Sequence, residues 1–261
     1  MKKKTAQYMA GIFDAEGCLT INSSFRKASN CLGYTAQIIF TNTNVHLMKW
    51  IVANFGGVYK KRKVVSGGLQ AYDWKVTNQK HALSFLSIVE PYLIVKKQEA
   101  VLMMRYYALN GAENPEARKE LCEKIKALKW NKGSVTTDMP NASNISNAYF
   151  AGFVDGDGSI ASTPTLYVGN AHKGVVALFH ARYGGCLHTR ELSSKNPKWS
   201  DEYRWSLANK EKVEMVLLCW LPYLIDKRDR AMIALNKIRG AKIQSELIGD
   251  YESDSAGTPN S

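Results

Sequence analysis

The sequence predicts an α+β protein built as two pseudo-symmetric αββαββα halves, each carrying an antiparallel sheet. Three observations carry that prediction: four landmarks occur twice in the same order, apolar and polar residues alternate in short runs, and each copy opens on an apolar helix with two small residues at its middle. Two copies are too few for a solenoid, which needs three or more, so the duplication implies two similar halves.

The first landmark, Tyr8-Met9-Ala10-Gly11-Ile12-Phe13-Asp14-Ala15-Glu16-Gly17, recurs as Tyr149-Phe150-Ala151-Gly152-Phe153-Val154-Asp155-Gly156-Asp157-Gly158, 141 residues on. Phe55-Gly56-Gly57 returns as Tyr183-Gly184-Gly185 at an offset of 128. Tyr72-x-Trp74 returns as Tyr203-x-Trp205, and Pro91-Tyr92-Leu93-Ile94-x-Lys96 as Pro222-Tyr223-Leu224-Ile225-x-Lys227, both at an offset of 131. The drop from 141 to 128 places thirteen extra residues in the first copy, around the polar stretch Ser24–Tyr34, which reads as a long hairpin turn.

Each half reads alike. Helices are predicted over 6–15 and 147–156, each ending at a glycine. In the strand that follows, Leu19 and Ile21 alternate with Thr20, Asn22 and Ser24; in the next, Ala36, Ile38 and Phe40 alternate with Thr35, Gln37, Ile39 and Thr41. Helices at 44–54 and 172–182 lead to the Gly-Gly turn, strands pass through Tyr59 and Trp74, a helix covers about 78–90, and another runs through Lys96 to about 108. Residues 115–129 read as one more helix, and 130–146 as a linker. The domain reading is therefore 1–110 for the first half, 111–146 for the extra helix and linker, 147–245 for the second half, and 246–261 for an acidic, flexible tail.

Composition narrows the partner. Lys and Arg number 35 against 23 Asp and Glu, a net +12, and the tail holds Glu246, Asp250, Glu252 and Asp254 with no Lys or Arg. The surplus on the rest favours a polyanion through phosphate neutralisation. Five scattered cysteines make no CxxC pair and no zinc spacing, which fits reduced thiols in an intracellular protein. The apolar run behind Lys2-Lys3-Lys4 is short and meets Asp14 and Glu16, so no signal peptide is expected, and no apolar run is long enough for a membrane span.

The repeated motif points to chemistry. Ala10-Gly11 and Ala151-Gly152 let another backbone approach, and with one such helix per half the economical arrangement packs the two against each other. Asp14, Glu16, Asp155 and Asp157 then stand at helix C-termini, where an anion opposes the dipole at about 0.3–1 kcal/mol. If the helices lie parallel, Glu16 and Asp157 also approach each other, and a hard divalent cation resolves both conflicts. Such a cluster beside a phosphate can hydrolyse a phosphodiester. Asp155-x-Asp157-x-Ser159 opens like an EF-hand, but Ile160 and Leu166 occupy the places that need Gly and Glu. Asp14 and Asp155 are expected to bond turn amides instead.

Residues 9–17 and 150–158 resemble the two nine-residue signatures of the LAGLIDADG homing endonucleases in their single-chain, two-motif form, and the resemblance extends over about 5–240. It implies a monomeric, intron-encoded enzyme that cuts double-stranded DNA with Mg²⁺, leaving short 3′ overhangs; Mn²⁺ would substitute, and Ca²⁺ would bind without supporting cleavage. By the same resemblance Glu16 and Asp157 bind metal, with the main-chain carbonyls of Ala15 and Gly156. Lys96 and Lys227 stand near the active centre, and Asn44 and His172 fit the polar, water-positioning residue that opens the second helix. Some members of the family bind host intron RNA as maturases, and the fold could also serve a regulator that does not cleave.

The outer faces of the predicted strands would form two concave ribbons, a saddle on DNA, since a two-stranded ribbon fits the major groove. Alternation puts Thr20, Asn22, Ser24, Gln37, Thr41, Lys60, Arg62, Asp73 and Lys75 outward in the first half. In the second it puts Ala161, Thr163, Thr165, Tyr167, His188, Arg190, Arg204 and Ser206 outward, opposite apolar Ile160, Leu166, Val168, Leu187 and Trp205. Arg62, Arg190 and Arg204 are the candidates for bidentate guanine contacts. Ribbons of this length span on the order of twenty base pairs, and unequal halves imply an asymmetric target.

Overall fold

A computed structural model describes residues 2–26, 30–64, 67–76, 78–109, 114–130, 139–161, 163–196 and 199–240. The expected acidic tail and residues 131–138 of the expected linker lie outside these residues.

The first half runs α1 (Lys3–Glu16), β1 (Gly17–Arg26), β2 (Cys31–Asn42), α2 (Val45–Phe55), β3 (Val58–Lys61), β4 (Tyr72–Lys75), α3 (Gln79–Val89) and α4 (Lys97–Ala108). After α5 (Pro115–Trp130), the second half repeats the order: α6 (Asn147–Asp157), β5 (Gly158–Ile160), β6 (Leu166–Asn170), α7 (Lys173–Tyr183), β7 (Cys186–Arg190), β8 (Glu202–Leu207), α8 (Lys210–Trp220) and α9 (228–240). Each half holds one antiparallel four-stranded sheet, in the orders β1-β2-β4-β3 and β5-β6-β8-β7.

Local chemistry starts and stops these elements as the repeat implies. The side chains of Asn44, Asn78, Ser146, His172 and Asn209 accept the first amides of α2, α3, α6, α7 and α8. Gly56 and Gly57, and again Gly184 and Gly185, turn the chain at positive φ. The indole of Trp74 donates to the Gly56 carbonyl (2.8 Å) and that of Trp205 to the Gly184 carbonyl (2.6 Å). Two landmarks distant in sequence are thus one device: the tryptophan locks the turn that aims β3 or β7.

Helix faces and inner strand faces share one core. Leu19, Ile21, Ile38, Phe40 and Trp74 are buried in one sheet, Ile160, Leu166, Val168 and Trp205 in the other. Leu187 departs from the expected pattern. Its neighbour in register, Trp205, is fully covered, but β7 is the edge strand and Leu187 stays 46% exposed.

The halves differ most where the offsets predicted. In place of a long polar turn, the extra residues extend the strands themselves, so that β1 and β2 pair from Gly17–Phe40 out to Arg26–Cys31. Helix α5 backs this ribbon: Leu121, Cys122 and Ile125 are buried, and the Cys122 thiol donates to the Ile21 carbonyl (3.1 Å). In the second half β5 ends at Ile160, and Ala161, Thr163 and Thr165 lie in the loop beyond it, not on an outward strand face as expected. The Ala161 amide donates to the Thr165 carbonyl (3.0 Å), which closes a short turn in place of a longer ribbon, with Pro164 inside it. Among the described residues no helix is long and apolar enough to cross a membrane.

Candidate active centre and sheet surface

The site is built on the contact between α1 and α6. A Cβ on Gly11 would stand 2.0 Å from the Tyr149 carbonyl oxygen, and one on Gly152 would stand 2.2 Å from that of Tyr8. Nothing larger than hydrogen fits, so backbone meets backbone, with Ala10 and Ala151 also fully buried. Further along, a Cβ on Gly156 would meet the Ala15 Cβ at 2.4 Å and the Glu16 Cγ at 3.1 Å. The helices therefore run parallel and bring their C-terminal acids together.

Asp14 and Asp155 anchor the lysine-bearing turns. The carboxylate of Asp14 accepts the amides of Ile94 (2.7 Å), Val95 (3.1 Å) and Lys96 (2.8 Å). That of Asp155 accepts those of Ile225 (2.7 Å), Asp226 (3.1 Å) and Lys227 (2.8 Å). A tyrosine from the opposite half completes each: Tyr149 donates to Asp14 (2.7 Å), Tyr8 to Asp155 (2.6 Å). Each ammonium then folds back on its anchor's main chain, Lys96 on the Asp14 carbonyl and Lys227 on that of Asp155. Burial pushes the Asp155 carboxyl up, against the hydrogen bonds from Tyr8 and the turn amides. Burial, then the adjoining carboxylate, raises both tyrosines, which stay protonated donors.

Glu16 and Asp157, both half-buried, end α1 and α6. Burial raises the Glu16 carboxyl first and the charge of Asp157 second, while Lys227 and Lys96 pull it down. Burial likewise raises Asp157, opposed by a hydrogen bond from Asn170 Nδ2 (2.6 Å) and by the same two lysines. Two acids crowded at the ends of parallel helices, both inclined to keep protons, are a donor set that a hard divalent cation relieves. The carbonyls of Ala15 and Gly156 lie in the last turn of each helix, among the groups for which an α-helix supplies no partner of its own. Among the described residues no group of three His, Cys, Asp or Glu side chains could hold an ion. The residues present thus fit a cation that keeps water or phosphate oxygens in most of its positions, as Mg²⁺ does.

Asn44 and His172 occupy corresponding places, and both are helix caps. Asn44 Oδ1 accepts the amides of His46 and Leu47, and its Nδ2 donates to Asp226 of the other half at 2.5 Å. His172 Nδ1 accepts the Val175 amide at 3.3 Å, and burial lowers its imidazole, which leaves the ring neutral with its proton on Nε2. The capping atoms of both side chains are committed to their own helices.

Tyr8, Tyr149, Asn170 and Asp226 are site residues that the sequence reading did not assign. The two tyrosines open the repeated motif. Asn170 matches Asn42 at the Gly-Gly offset of 128, so extending the repeat by two residues from Asn44 and His172 would have found it.

On the outer sheet face, the residues of the first half form cross-strand rows. Thr20 faces Gln37, and Thr41, Asp73 and Lys60 lie side by side. Asn22, Ser24, Gln37, Lys60, Arg62 and Lys75 are exposed. Thr41 donates to Asp73 (2.8 Å), which also pairs with Arg62 at 4.0 Å. In the second half Tyr167 lies beside Ser206, and His188 beside Arg204. Glu202, also unassigned from sequence, holds Arg204 through two hydrogen bonds (2.8 and 3.0 Å) and stands 3.7 Å from Arg190. Of the loop residues, Thr163 is exposed and Thr165 half-buried.

Residues 9–107 match the sequence model of the LAGLIDADG endonuclease family. Among solved structures, I-SmaMI bound to uncleaved DNA target in the presence of calcium ions superposes with a TM-score of 0.65 at 17% identity, covering 97% of this chain and 98% of that one. The I-SmaMI LAGLIDADG homing endonuclease bound to cleaved DNA gives 0.64 at 17%, over 97% and 96%. The LAGLIDADG homing endonuclease I-GzeII in complex with its DNA target gives 0.60 at 17%, over 98% and 93%. No curated protein matches the sequence.

Proposed function

We propose a site-specific double-strand DNA endonuclease, proceeding from the premise that the chain belongs to the LAGLIDADG family, whose model its residues 9–107 match and whose two-domain fold its length adopts. One observation carries the proposal: the paired helices bring Glu16 and Asp157 together between Lys96 and Lys227. A protein that only bound DNA would gain nothing from two acids crowded at a phosphate-facing surface, since each repels the backbone it would touch.

Glu16 and Asp157, with the carbonyls of Ala15 and Gly156, would hold a divalent cation, Mg²⁺ in a cell, with Mn²⁺ as a substitute and Ca²⁺ as a ligand that does not support turnover. A cation bound there supplies a water of lowered pKa and positive charge for the leaving oxygen. Lys96 and Lys227, held to their turns by Asp14 and Asp155, present ammoniums to the non-bridging oxygens of the scissile phosphates, where negative charge grows in the transition state. The Tyr8 and Tyr149 bonds keep both stations in register across the halves. The two sheet faces would lie in successive major grooves, and cleavage across the minor groove between them leaves short 3′ overhangs. A single chain with two motifs works as a monomer, and the family reading makes it intron-encoded.

The test is cleavage of duplexes drawn from a randomised library. Wild type should cut with Mg²⁺ and not with chelator, while Glu16→Gln or Asp157→Asn should lose on the order of 10²–10³-fold in rate with binding retained. Duplexes that are bound yet intact with both Mg²⁺ and Mn²⁺ would sink the reading in favour of a regulator. Retention of intron RNA in the same circumstances would favour a maturase.

A further inference from the structure

The two halves present the same lysine with different neighbours. Val95 precedes Lys96, and Asp226 precedes Lys227 at the corresponding place. Both turns hang from a buried aspartate by the same three amides, so the backbone sets residues 95 and 226 alike and only the side chain differs. Asp226 reaches in two directions: one oxygen accepts Asn44 Nδ2 from the other half at 2.5 Å, and the other stands 3.5 Å from Lys227 Nζ. The side chains of Lys227 and Asp226 are only 12% and 27% exposed, so solvent and salt weaken their pairing less than that of a surface pair. The charge of Asp226 also reaches Glu16 and adds to that of Asp157. Lys96 feels a different acid, Glu99, in the first turn of α4, and Glu99 also faces Asp14 and Lys129.

Resting on the nuclease reading, we propose that Asp226 is a positioning residue that tethers Lys227 toward Asn44 and offsets its charge, so that the DNA strand served by Lys227 is cut below the rate its lysine alone would allow. The ammonium stabilises negative charge growing on a phosphate oxygen, and a carboxylate at its side competes for the same charge. The effect falls on the strand that Lys227 serves because the Asp226 carboxylate lies directly beside the Lys227 ammonium.

Strand-resolved, single-turnover cleavage by the full chain tests this, on a duplex selected for binding from a randomised library and labelled differently on each strand, with Mg²⁺. Lys227→Met identifies the strand that Lys227 serves as the one it slows more. Asp226→Asn removes the charge and keeps an acceptor for Asn44; Asp226→Val installs the residue the sister half already tolerates there. Both should accelerate the identified strand about fivefold or more and leave the other within about twofold. Equal changes on both strands, a slower identified strand, or an effect of Asp226→Val that Asp226→Asn lacks would overturn the assignment, as would a Lys227→Met that slows both strands alike. If wild type cuts normally and both Asp226 variants cut as it does, Asp226 alone loses its role. If wild type binds and cuts neither strand, the nuclease reading falls and takes this one with it.

Discussion

Asp14 and Glu16 are two residues apart and serve opposite ends, as do Asp155 and Asp157. The first of each pair has its carboxylate filled by three amides and a phenol, so it fixes structure. The second of each pair is crowded and inclined to keep its proton. A carboxyl whose value is raised in the folded chain still holds its proton at a pH where the unfolded chain has lost it. Stability is therefore lost as the pH rises through the interval from the ordinary carboxyl value to the raised one, and the loss persists above it. Glu16→Gln should remove that loss: without metal its melting temperature should exceed that of wild type at neutral pH, and the gap should close below about pH 4. Melting curves across pH check this, and a variant less stable at neutral pH would show that Glu16 is stabilised in place. Saturating Mg²⁺ should raise wild type and leave the variant nearly unmoved. The acids and lysines were legible in the sequence because the repeat sets them at matching places. Their partners were not, because Tyr8 meets an aspartate 147 residues away and Asn44 meets Asp226 across 182 residues, and no local pattern reports such contacts.

Among the elements, α1 and α6 carry the molecule's geometry. Each is buried on all sides along its motif, Tyr8–Asp14 in one and Ala148–Asp155 in the other, as a helix at the centre of a core must be. Their small residues state that something comes close; that the partner is the other small-residue helix follows only from the duplication. The sequence also displayed the strand alternation, and the outward residues of the first half stand where it put them. It failed for Thr163 and Thr165 because period-two alternation continues in the letters through the short turn, closed by the Ala161–Thr165 bond, where the chain reverses. Gly11→Ala would drive a methyl into the Tyr149 carbonyl, with backbone on both sides and nothing free to move. It should cost about 3 kcal/mol and separate the acids, so cleavage should fall with stability. Gly240→Ala in α9 meets nothing within 4 Å and serves as the control, neutral or slightly stabilising in chemical denaturation. A Gly11→Ala chain as stable as wild type would mean that the helices can part without cost, contrary to their packing.

At the scale of the whole molecule, duplication supplies one candidate centre, and under the proposed function divergence would supply an unequal grip on DNA. In the first half, β1 and β2 run ten and twelve residues and α5 braces them from behind. In the second, β5 and β6 run three and five. At about 3.3 Å per residue against about 3.4 Å per base pair, the first ribbon would follow roughly ten base pairs outward from the centre and the second about five. Beyond β5 the chain continues as a loop, which lacks the fixed alternation that aims side chains at successive bases. The expected target is therefore lopsided, with sequence constraint extending about twice as far from the cleavage point on the side of the first half. Profiling cleavage of every single-base variant of the site measures this, and Asn22→Ala, just past the midpoint of the long ribbon, assigns the side by relaxing positions on that side alone. Constraint reaching equally far on both sides would mean that the loops of the second half read DNA as well as strands do.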